Sequence, residues 1–199
     1  PVAVPLVAAN PLGIGPDGAQ RVAVLCYHRV GAGGSKMTIS PQRFESQLDW
    51  LTANGYAVVS LDDVAAFMAG RKDLPAKAVA LTFDDGYESV WRHAYHALRK
   101  RGMRATLFVY TDFVGAGDAL SWAQMDEMRR SGLVDIQAHS KSHRYLAERR
   151  PGESDSAYRA RLDSELAAPR ATIERALPGV KVRHFAYPYG DANEAVLDA

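Results

Sequence analysis

The stretch that decides the fold is an apolar run that ends in two acids and a glycine. It reads Val79-Ala80-Leu81-Thr82-Phe83-Asp84-Asp85-Gly86-Tyr87. Apolar and β-branched residues that lead into a glycine are typical of a buried strand followed by a turn. Two neighbouring carboxylates repel each other, so the pair indicates a bound cation or a role in proton transfer. Because α/β folds carry their chemistry at the carboxyl ends of strands, we predict that both acids lie at a functional site.

Strand, turn and helix patterns alternate along the rest of the chain. Strands are predicted at 22–27, 56–59, 78–83, 104–110, 133–138 and 181–187, and helices at 41–54, 60–68, 88–101, 122–131 and 154–177. Strands that alternate with helices through short turns indicate parallel pairing, in an α/β barrel or an open sheet. Residues 1–20 are rich in proline and glycine. We predict that they form an extended N-terminal segment ahead of one domain at 21–199.

Composition and charge argue against several classes of protein. The 199 residues, 47% hydrophobic and 24% charged, suit one globular domain with a full core. A formal net charge of +1 argues against a nucleic-acid-binding protein. No stretch approaches the roughly 18 apolar residues of a transmembrane segment. The single cysteine, Cys26, lies in an apolar strand pattern. It is interpreted as a small buried core residue, with a catalytic thiol as the alternative.

Two further polar motifs follow predicted strands. His139 and His143 are four residues apart, and within one helical turn this spacing lets both imidazoles reach a common point. With a carboxylate from another strand end, they would form a metal site with open positions for water and substrate. Two solvated loop histidines are the alternative. The third motif, 185–190, is an aromatic–proline–glycine turn, which is either structural or aims a backbone N–H into a cleft.

In this order, the three motifs resemble those of the family-4 carbohydrate esterases, also called NodB-homology polysaccharide deacetylases. The family motifs T-F-D-D-G, H-[ST]-x-x-H and R-x-P-[YF] correspond here to Thr82–Gly86, His139–His143 and Ala186–Tyr189. The first two match in full, and the resemblance covers about residues 21–199. It implies a distorted (β/α) barrel and a metal-dependent hydrolase that removes N-acetyl groups from an N-acetylglucosamine polymer.

The resemblance also implies a role for each motif residue. The general base would be Asp84, the metal ligands would be Asp85, His139 and His143, and the backbone of Tyr189 would help to hold the oxyanion. Histidine and aspartate ligands suit Zn²⁺ best, and Co²⁺, Ni²⁺ and Fe²⁺ also fit. The implied partner is an N-acetylated polysaccharide, and the implied location is the periplasm, the cell surface or the extracellular space.

Two features depart from the family pattern. Ala186 stands where the family has an arginine that orients the catalytic aspartate, and Arg183 or Arg144 is a candidate replacement. The family usually supplies its acid histidine from a C-terminal Leu-x-His motif, but only nine residues follow Gly190 and none is histidine. We therefore predict that the natural protein is longer and that the barrel is incomplete at the C-terminus of this chain.

The pair Tyr27-His28 ends the first predicted strand. It resembles the poly-β-1,6-N-acetylglucosamine deacetylases of biofilm systems, in which the N-terminal strand supplies the acid histidine. This resemblance implies His28 as the general acid, and the alternative is a histidine that only packs against the site. The same resemblance favours poly-β-1,6-N-acetylglucosamine as the substrate, with chitin and peptidoglycan as alternatives. The predicted substrate-binding residues are Tyr87, Trp122 and Pro188.

Two other functions remain open from the residues alone. A non-haem iron oxygenase also uses two histidines and one carboxylate, although such a site would normally lie on a β-sandwich rather than among alternating strands and helices. The second possible function is that of a carbohydrate-binding protein of the same fold that has lost catalysis, because the family arginine is absent. Acetate release with and without a chelator separates these functions from a deacetylase.

Overall fold

The fold is built on one mostly parallel sheet in a computed structural model that describes residues 2–6 and 21–199. Its strands are β1 (Val2–Leu6), β2 (Val22–Tyr27), β5 (Ala57–Val58), β6 (Ala78–Phe83), β7 (Ala105–Val109) and β8 (Val134–Ala138), while β3 (Arg29–Val30) and β4 (Thr38–Ile39) pair separately. The order is β1-β2-β6-β7-β8, with β5 beside the start of β6. Only β1 is antiparallel to its neighbour, so the carboxyl ends of β2, β6, β7 and β8 meet at one edge.

Helices follow most of the strands, as the alternating pattern predicts. They are α1 (Pro41–Ala53), α2 (Leu61–Met68), α3 (His96–Arg101), α4 (Trp122–Arg130), α5 (Asp155–Ala176) and α6 (Glu194–Leu197). A serine caps each of four helices by accepting the backbone N–H three residues further on: Ser40, Ser60, Ser121 and Ser154. The helix predicted at 88–101 begins instead with a π-helical segment, Val90–Tyr95, that continues into α3.

Strand β6 is buried along its whole length because both faces of the sheet are covered. Its alternate residues Val79, Leu81 and Phe83 join the main core, which includes apolar residues of α1, α3, α4 and α5. Residues Ala78 and Ala80 face a second cluster formed with α2. This packing holds the strand that leads into Asp84 in the middle of the sheet.

The strand predicted at 181–187 is wrong, because only Phe185 forms a bridge there, parallel to Ala138. The side-chain oxygen of Gln137 accepts the backbone N–H groups of Arg183 and His184, at 2.7 and 2.8 Å. These donors are therefore satisfied by a side chain instead of a neighbouring strand. Regular strand pairing in this segment therefore cannot include the N–H groups of Arg183 and His184.

The predicted α/β class with a parallel sheet is confirmed. Within residues 2–6 and 21–199 the sheet does not close on itself. Of the extended segment predicted at 1–20, residues 2–6 form β1, and residues 1 and 7–20 lie outside the described residues. No helix in the described ranges has the length and apolar character needed to cross a bilayer.

Candidate metal and catalytic site

The residues predicted from all three motifs meet at the carboxyl edge of the sheet. Asp84 directly follows β6, and its N–H donates to the Tyr27 carbonyl oxygen at the end of β2, at 2.9 Å. His139 directly follows β8, and its N–H donates to the Val109 carbonyl oxygen at 2.9 Å. These bonds extend the ladder beyond the strand ends. They fix the position at which each polar side chain leaves the sheet.

The backbone at this edge adopts a conformation that side chains disfavour. Four non-glycine residues in the described ranges have a left-handed φ, between 56° and 74°: Asp85, Ser140, His143 and Tyr189. Such conformations cost about 1–3 kcal/mol each and cluster at functional sites. Gly86 is also left-handed, and a Cβ there would lie 2.9 Å from the Val109 side chain. The glycine of the first motif is therefore required by close packing as well as by its φ.

Asp85, His139 and His143 form a compact group at this edge. Asp85 Oδ1 lies 3.5 Å from His139 Nε2 and 3.1 Å from His143 Nε2. This oxygen is buried, and neither imidazole donates a well-aligned hydrogen bond to it. Burying a carboxylate oxygen without a partner costs folding free energy. Ligand atoms of all three residues lie within 4.8 Å of one another. The group therefore fits a divalent metal ion.

The hydrogen bonds of His139 prepare it to be a ligand. Its Nδ1 lies 2.8 Å from the Ala186 carbonyl oxygen, which can only accept, so Nδ1 carries the proton and Nε2 presents its lone pair towards Asp85. Burial lowers the pKa of His139 to about 4, so the imidazole is neutral at physiological pH. Residue 186 thus contributes through its backbone, and an alanine there preserves this contact.

The segment with both histidines is an irregular loop that follows β8. The left-handed residues Ser140 and His143 bring the second imidazole back towards the first, with ring centroids 4.8 Å apart. His143 Nδ1 lies 3.2 Å from the Tyr189 hydroxyl. Tyr189 is 61% exposed and stacks on Tyr145, so a pair of aromatic rings borders the group.

Asp84 is held by a thiol and not by an arginine. The Cys26 thiol donates to Asp84 Oδ2 at 3.2 Å. Burial, together with the Asp84 charge, raises the pKa of Cys26 to about 12, so the sulfur is protonated and can donate. The interpretation of Cys26 as a core residue is therefore wrong. Arg183 is also wrong as the replacement for the family arginine, because it bonds to Asp62 at 3.1 Å, and Arg144 is exposed.

His28 lies beside Asp84, as expected from its place after β2. Ligand-type atoms of Cys26, His28 and Asp84 lie within 4.8 Å of one another. Burial lowers the pKa of His28, and the Asp85 charge is close enough to act in the opposite direction. The structure thus brings together the predicted acid and the predicted base.

The three predicted substrate-binding residues have different surroundings. Burial and the charge of the nearby Asp85 raise the pKa of Tyr87, and the Arg29 guanidinium lies 3.5 Å above its ring. Pro188 is buried and starts the turn that presents Tyr189. Trp122 begins α4 and packs partly against the main core. The structure therefore places Tyr87 and the Pro188 turn at the site, and the substrate-binding role of Trp122 stays a prediction.

Comparison with known proteins agrees with the motifs. The model of the family described as polysaccharide deacetylase matches residues 71–199. The chain belongs to this family. It is 30% identical over 181 residues to the putative polysaccharide deacetylase YxkH of Bacillus subtilis, which covers 90% of this chain and 60% of that protein. It is 28% identical over 196 residues to the poly-β-1,6-N-acetyl-D-glucosamine N-deacetylase of Escherichia coli K12, over 81% of this chain and 29% of that protein.

Among solved structures, the family member IcaB from Ammonifex degensii superposes with a TM-score of 0.80. It is 35% identical, and the alignment covers 92% of this chain and 78% of that structure. The resemblance predicted from the three motifs is therefore confirmed. The chain spans about 60% of the length of the Bacillus relative and about 29% of the Escherichia relative.

The sequence analysis missed Glu165, which anchors the histidine loop of this deacetylase domain to α5. Its buried side chain accepts the backbone N–H groups of Lys141 and Ser142 at 3.1 and 2.9 Å, and the Ser142 hydroxyl at 2.6 Å. Its carbonyl oxygen also accepts the Lys141 N–H, at 3.2 Å. That carbonyl is free because Pro169, four residues later, has no N–H to donate.

A signal for this anchor is present in the sequence. The buried face of α5 is formed by Tyr158, Leu162, Glu165, Pro169 and Ile173. Glu165 thus occupies a position at which helical spacing predicts an apolar residue. A charged residue on the apolar face of a helix indicates that its side chain binds a segment outside the helix. Because a proline follows four residues later, the backbone carbonyl of the charged residue is also free to bind that segment.

Replacing Glu165 with glutamine is expected to lower metal affinity by about 10- to 100-fold, the usual effect of losing a residue that positions ligands. Glutamine keeps the size of the side chain but removes the negative charge that holds two N–H groups and a hydroxyl. Metal titration of purified protein measures the change. Asp163→Asn is the matched control, because Asp163 is exposed on the same helix. Equal affinity in both variants would contradict the anchoring role.

Proposed function

We propose that this chain is a metal-dependent N-deacetylase acting on an N-acetylglucosamine polymer. The observation that carries the proposal is the buried, unpaired Oδ1 of Asp85, which faces two imidazole Nε2 atoms next to Asp84. Asp85, His139 and His143 would hold the metal, and their donor set suits Zn²⁺ best. When bound there, the metal would polarise the acetamide carbonyl and lower the pKa of water.

Asp84 is proposed to accept the proton of the attacking water. It lies beside the ligand group but outside it, so its carboxylate is available for proton transfer. The Cys26 thiol occupies Oδ2, which leaves Oδ1 as the oxygen that takes the proton. A general base in this position contributes about 10²- to 10⁴-fold to the rate. The thiol would thus serve as the orienting donor in place of the arginine absent at residue 186.

Tyr189 is proposed to contribute through its backbone N–H, which would donate to the oxyanion that develops on the acetamide. The preceding Pro188 is buried, and Tyr189 has a left-handed backbone with φ 60° and ψ 7°. A donor held in a rigid turn needs no reorganisation during the reaction. The exposed rings of Tyr145 and Tyr189 would form the adjoining surface for a sugar ring.

His28 is proposed to protonate the departing amine, an unstable leaving group unless it gains a proton. Replacing His28 with alanine is expected to reduce deacetylation of N-acetylglucosamine oligomers by about 10²- to 10⁴-fold. Hydrolysis of an aryl acetate should change much less, because a phenolate leaves without protonation. Initial rates on both substrates test this difference. Equal losses on the two substrates, or none on the amide, would contradict the role of general acid.

The polymer proposed is poly-β-1,6-N-acetylglucosamine. The Tyr27-His28 pair at the end of β2 supports this choice, as does the similarity to the Escherichia coli enzyme named for that substrate. Such a polymer lies outside the cytoplasm, so the proposal places the protein in the periplasm, at the cell surface or outside the cell.

Acetate release from β-1,6- and β-1,4-linked N-acetylglucosamine oligomers, with and without a chelator, tests the function. We expect chelator-sensitive release that is faster from the β-1,6 series. Faster release from the β-1,4 series would indicate a chitin or peptidoglycan deacetylase. Oligosaccharide binding without acetate release under any metal would indicate a carbohydrate-binding protein that has lost catalysis.

A further inference from the structure

A second cluster of metal-ligand side chains lies beside the proposed metal site. It consists of Cys26, His28 and Asp84, each partly exposed, with one ligand-type atom from each residue within 4.8 Å of the other two. None of these residues belongs to the first group of Asp85, His139 and His143. A thiol, an imidazole and a carboxylate together are a donor set typical of Zn²⁺ and Co²⁺ in proteins.

The geometry of the thiol and the carboxylate already suits a shared cation. Cys26 Sγ and Asp84 Oδ2 are 3.2 Å apart and share the thiol proton. Two ligands about 2.0 and 2.3 Å from a tetrahedral ion stand about 3.5 Å apart. Replacing the shared proton by a metal ion therefore requires the two atoms to separate by only about 0.3 Å. The thiol proton is released to solvent in the exchange.

An opening leads to this cluster from one side. Cys26 and His28 line a cavity of about 260 Å³, which also includes Met37 and the basic residues Arg29, Lys36 and Arg43. An ion in this cavity thus lies next to two of the three residues of the cluster. The positive lining disfavours cations that bind only through charge. A thiophilic ion gains enough from the sulfur to overcome that repulsion, whereas Mg²⁺ and Ca²⁺, which prefer oxygen ligands, do not.

We propose that Cys26, His28 and Asp84 form a second, inhibitory site for a thiophilic divalent cation such as Zn²⁺. The inhibition rests on the proposed function, because the ion would occupy the atoms that the base and the acid need for proton transfer. The site fills only when metal is in excess. Its ligands must first lose the thiol proton, whereas Asp85 Oδ1 in the first site has no partner to give up.

Titration of the metal-free chain with Co²⁺ tests the proposal by two independent readouts. The first is the near-ultraviolet charge-transfer absorption of a thiolate bound to Co²⁺, and the second is acetate release from N-acetylglucosamine oligomers. We expect acetate release to rise with the first equivalent, without the thiolate band. Further Co²⁺ or Zn²⁺ should produce the band with Co²⁺ and suppress the activity with either ion, while excess Mg²⁺ should do neither.

Two variants identify the residues responsible. Cys26→Ser is expected to lose the band and to need at least about 100-fold more Zn²⁺ for half-inhibition, with activity expressed relative to the maximal rate of the variant itself. This change exceeds the loss of about 10- to 100-fold in metal affinity that follows when a residue that only supports a ligand is replaced. The double variant His93→Ala/His96→Ala removes the histidines that line a separate surface cavity. It should match the unsubstituted chain in both readouts.

The outcomes separate this proposal from the proposed function. Activity that falls with excess Co²⁺ but without any thiolate band, or inhibition that survives Cys26→Ser unchanged, would overturn the second site and leave the deacetylase intact. Loss of inhibition in the His93/His96 double variant would also overturn it. A thiolate band that depends on Cys26, in a chain that never releases acetate, would support the site and reject the function.

Discussion

Replacing Asp85 with asparagine is expected to abolish deacetylation by removing the metal. The carboxylate supplies the only negative charge in the group of Asp85, His139 and His143, so its loss should lower metal affinity by more than about 100-fold. Elemental analysis after dialysis and metal titration measure the loss. No acetate should be released at metal concentrations that saturate the unsubstituted chain.

The same substitution should also change the stability of the metal-free protein. Burial raises the pKa of Asp85, but the His143 and His139 imidazoles outweigh burial and hold this pKa below its usual value. The charge therefore favours the folded state at neutral pH, and the apo variant should unfold at a lower temperature than the apo parent. Added Zn²⁺ should then stabilise only the parent, by about 2.7 kcal/mol at a concentration 100 times Kd. Thermal unfolding with and without Zn²⁺ measures both differences.

Asp112→Asn is the control for this experiment. Asp112 is a carboxylate on the neighbouring loop, and it pairs with Lys141 Nζ at 2.7 Å. Exposed ion pairs contribute about 0–1 kcal/mol, so this variant should keep its metal, its activity and its stabilisation by Zn²⁺. An Asp85→Asn protein that retained metal at parental occupancy would show that the ligand group is wrongly assigned.

Replacing Asp84 with asparagine is expected to reduce deacetylation by about 10²- to 10⁴-fold while metal content stays at one ion per chain. Asparagine has the shape of aspartate but cannot accept the proton of the attacking water. The Cys26 thiol can still donate to the amide oxygen, so the side chain should keep its orientation. Rates and metal content measured on the same preparation separate a lost base from a lost ligand.

The two aspartate variants form a reciprocal pair. Asp84→Asn should bind metal but release acetate at a strongly reduced rate. Asp85→Asn should neither bind metal nor release acetate. If Asp84→Asn lost its metal and Asp85→Asn kept it, the roles of the two residues would be exchanged. Such a result would also remove the second site inferred at Cys26, His28 and Asp84.

Much of the scaffold follows from local patterns in the sequence. Strands β2 and β6 lie at the predicted residues, and α1 and α2 begin within one residue of their predicted starts. These features depend on side-chain periodicity, capping and turn chemistry, which act over a few residues. The three motifs likewise identified the residues that the sheet gathers at its carboxyl edge.

The errors lie where distant segments decide the outcome. The 181–187 segment has a strand-like sequence, but Gln137 takes two of its N–H groups. The spacing of His139 and His143 predicts that the imidazoles can meet, but the course of their loop is set by left-handed residues and by the Glu165 anchor. The capture of backbone groups by Gln137 leaves no periodic signal, and the charge of Glu165 on the apolar stripe of α5 does not identify the segment that it binds.

The sequence by itself determined that two adjacent acids end a buried strand and that they belong to the motifs of a polysaccharide deacetylase. Only the tertiary structure decided how each acid is held. Asp85 faces His139 and His143 with an unpaired buried oxygen, while Asp84 receives a hydrogen bond from Cys26, 58 residues earlier in the chain. That contact exists because β2 and β6 are parallel neighbours in register, and pairing between distant strands is set by the packing of the whole sheet.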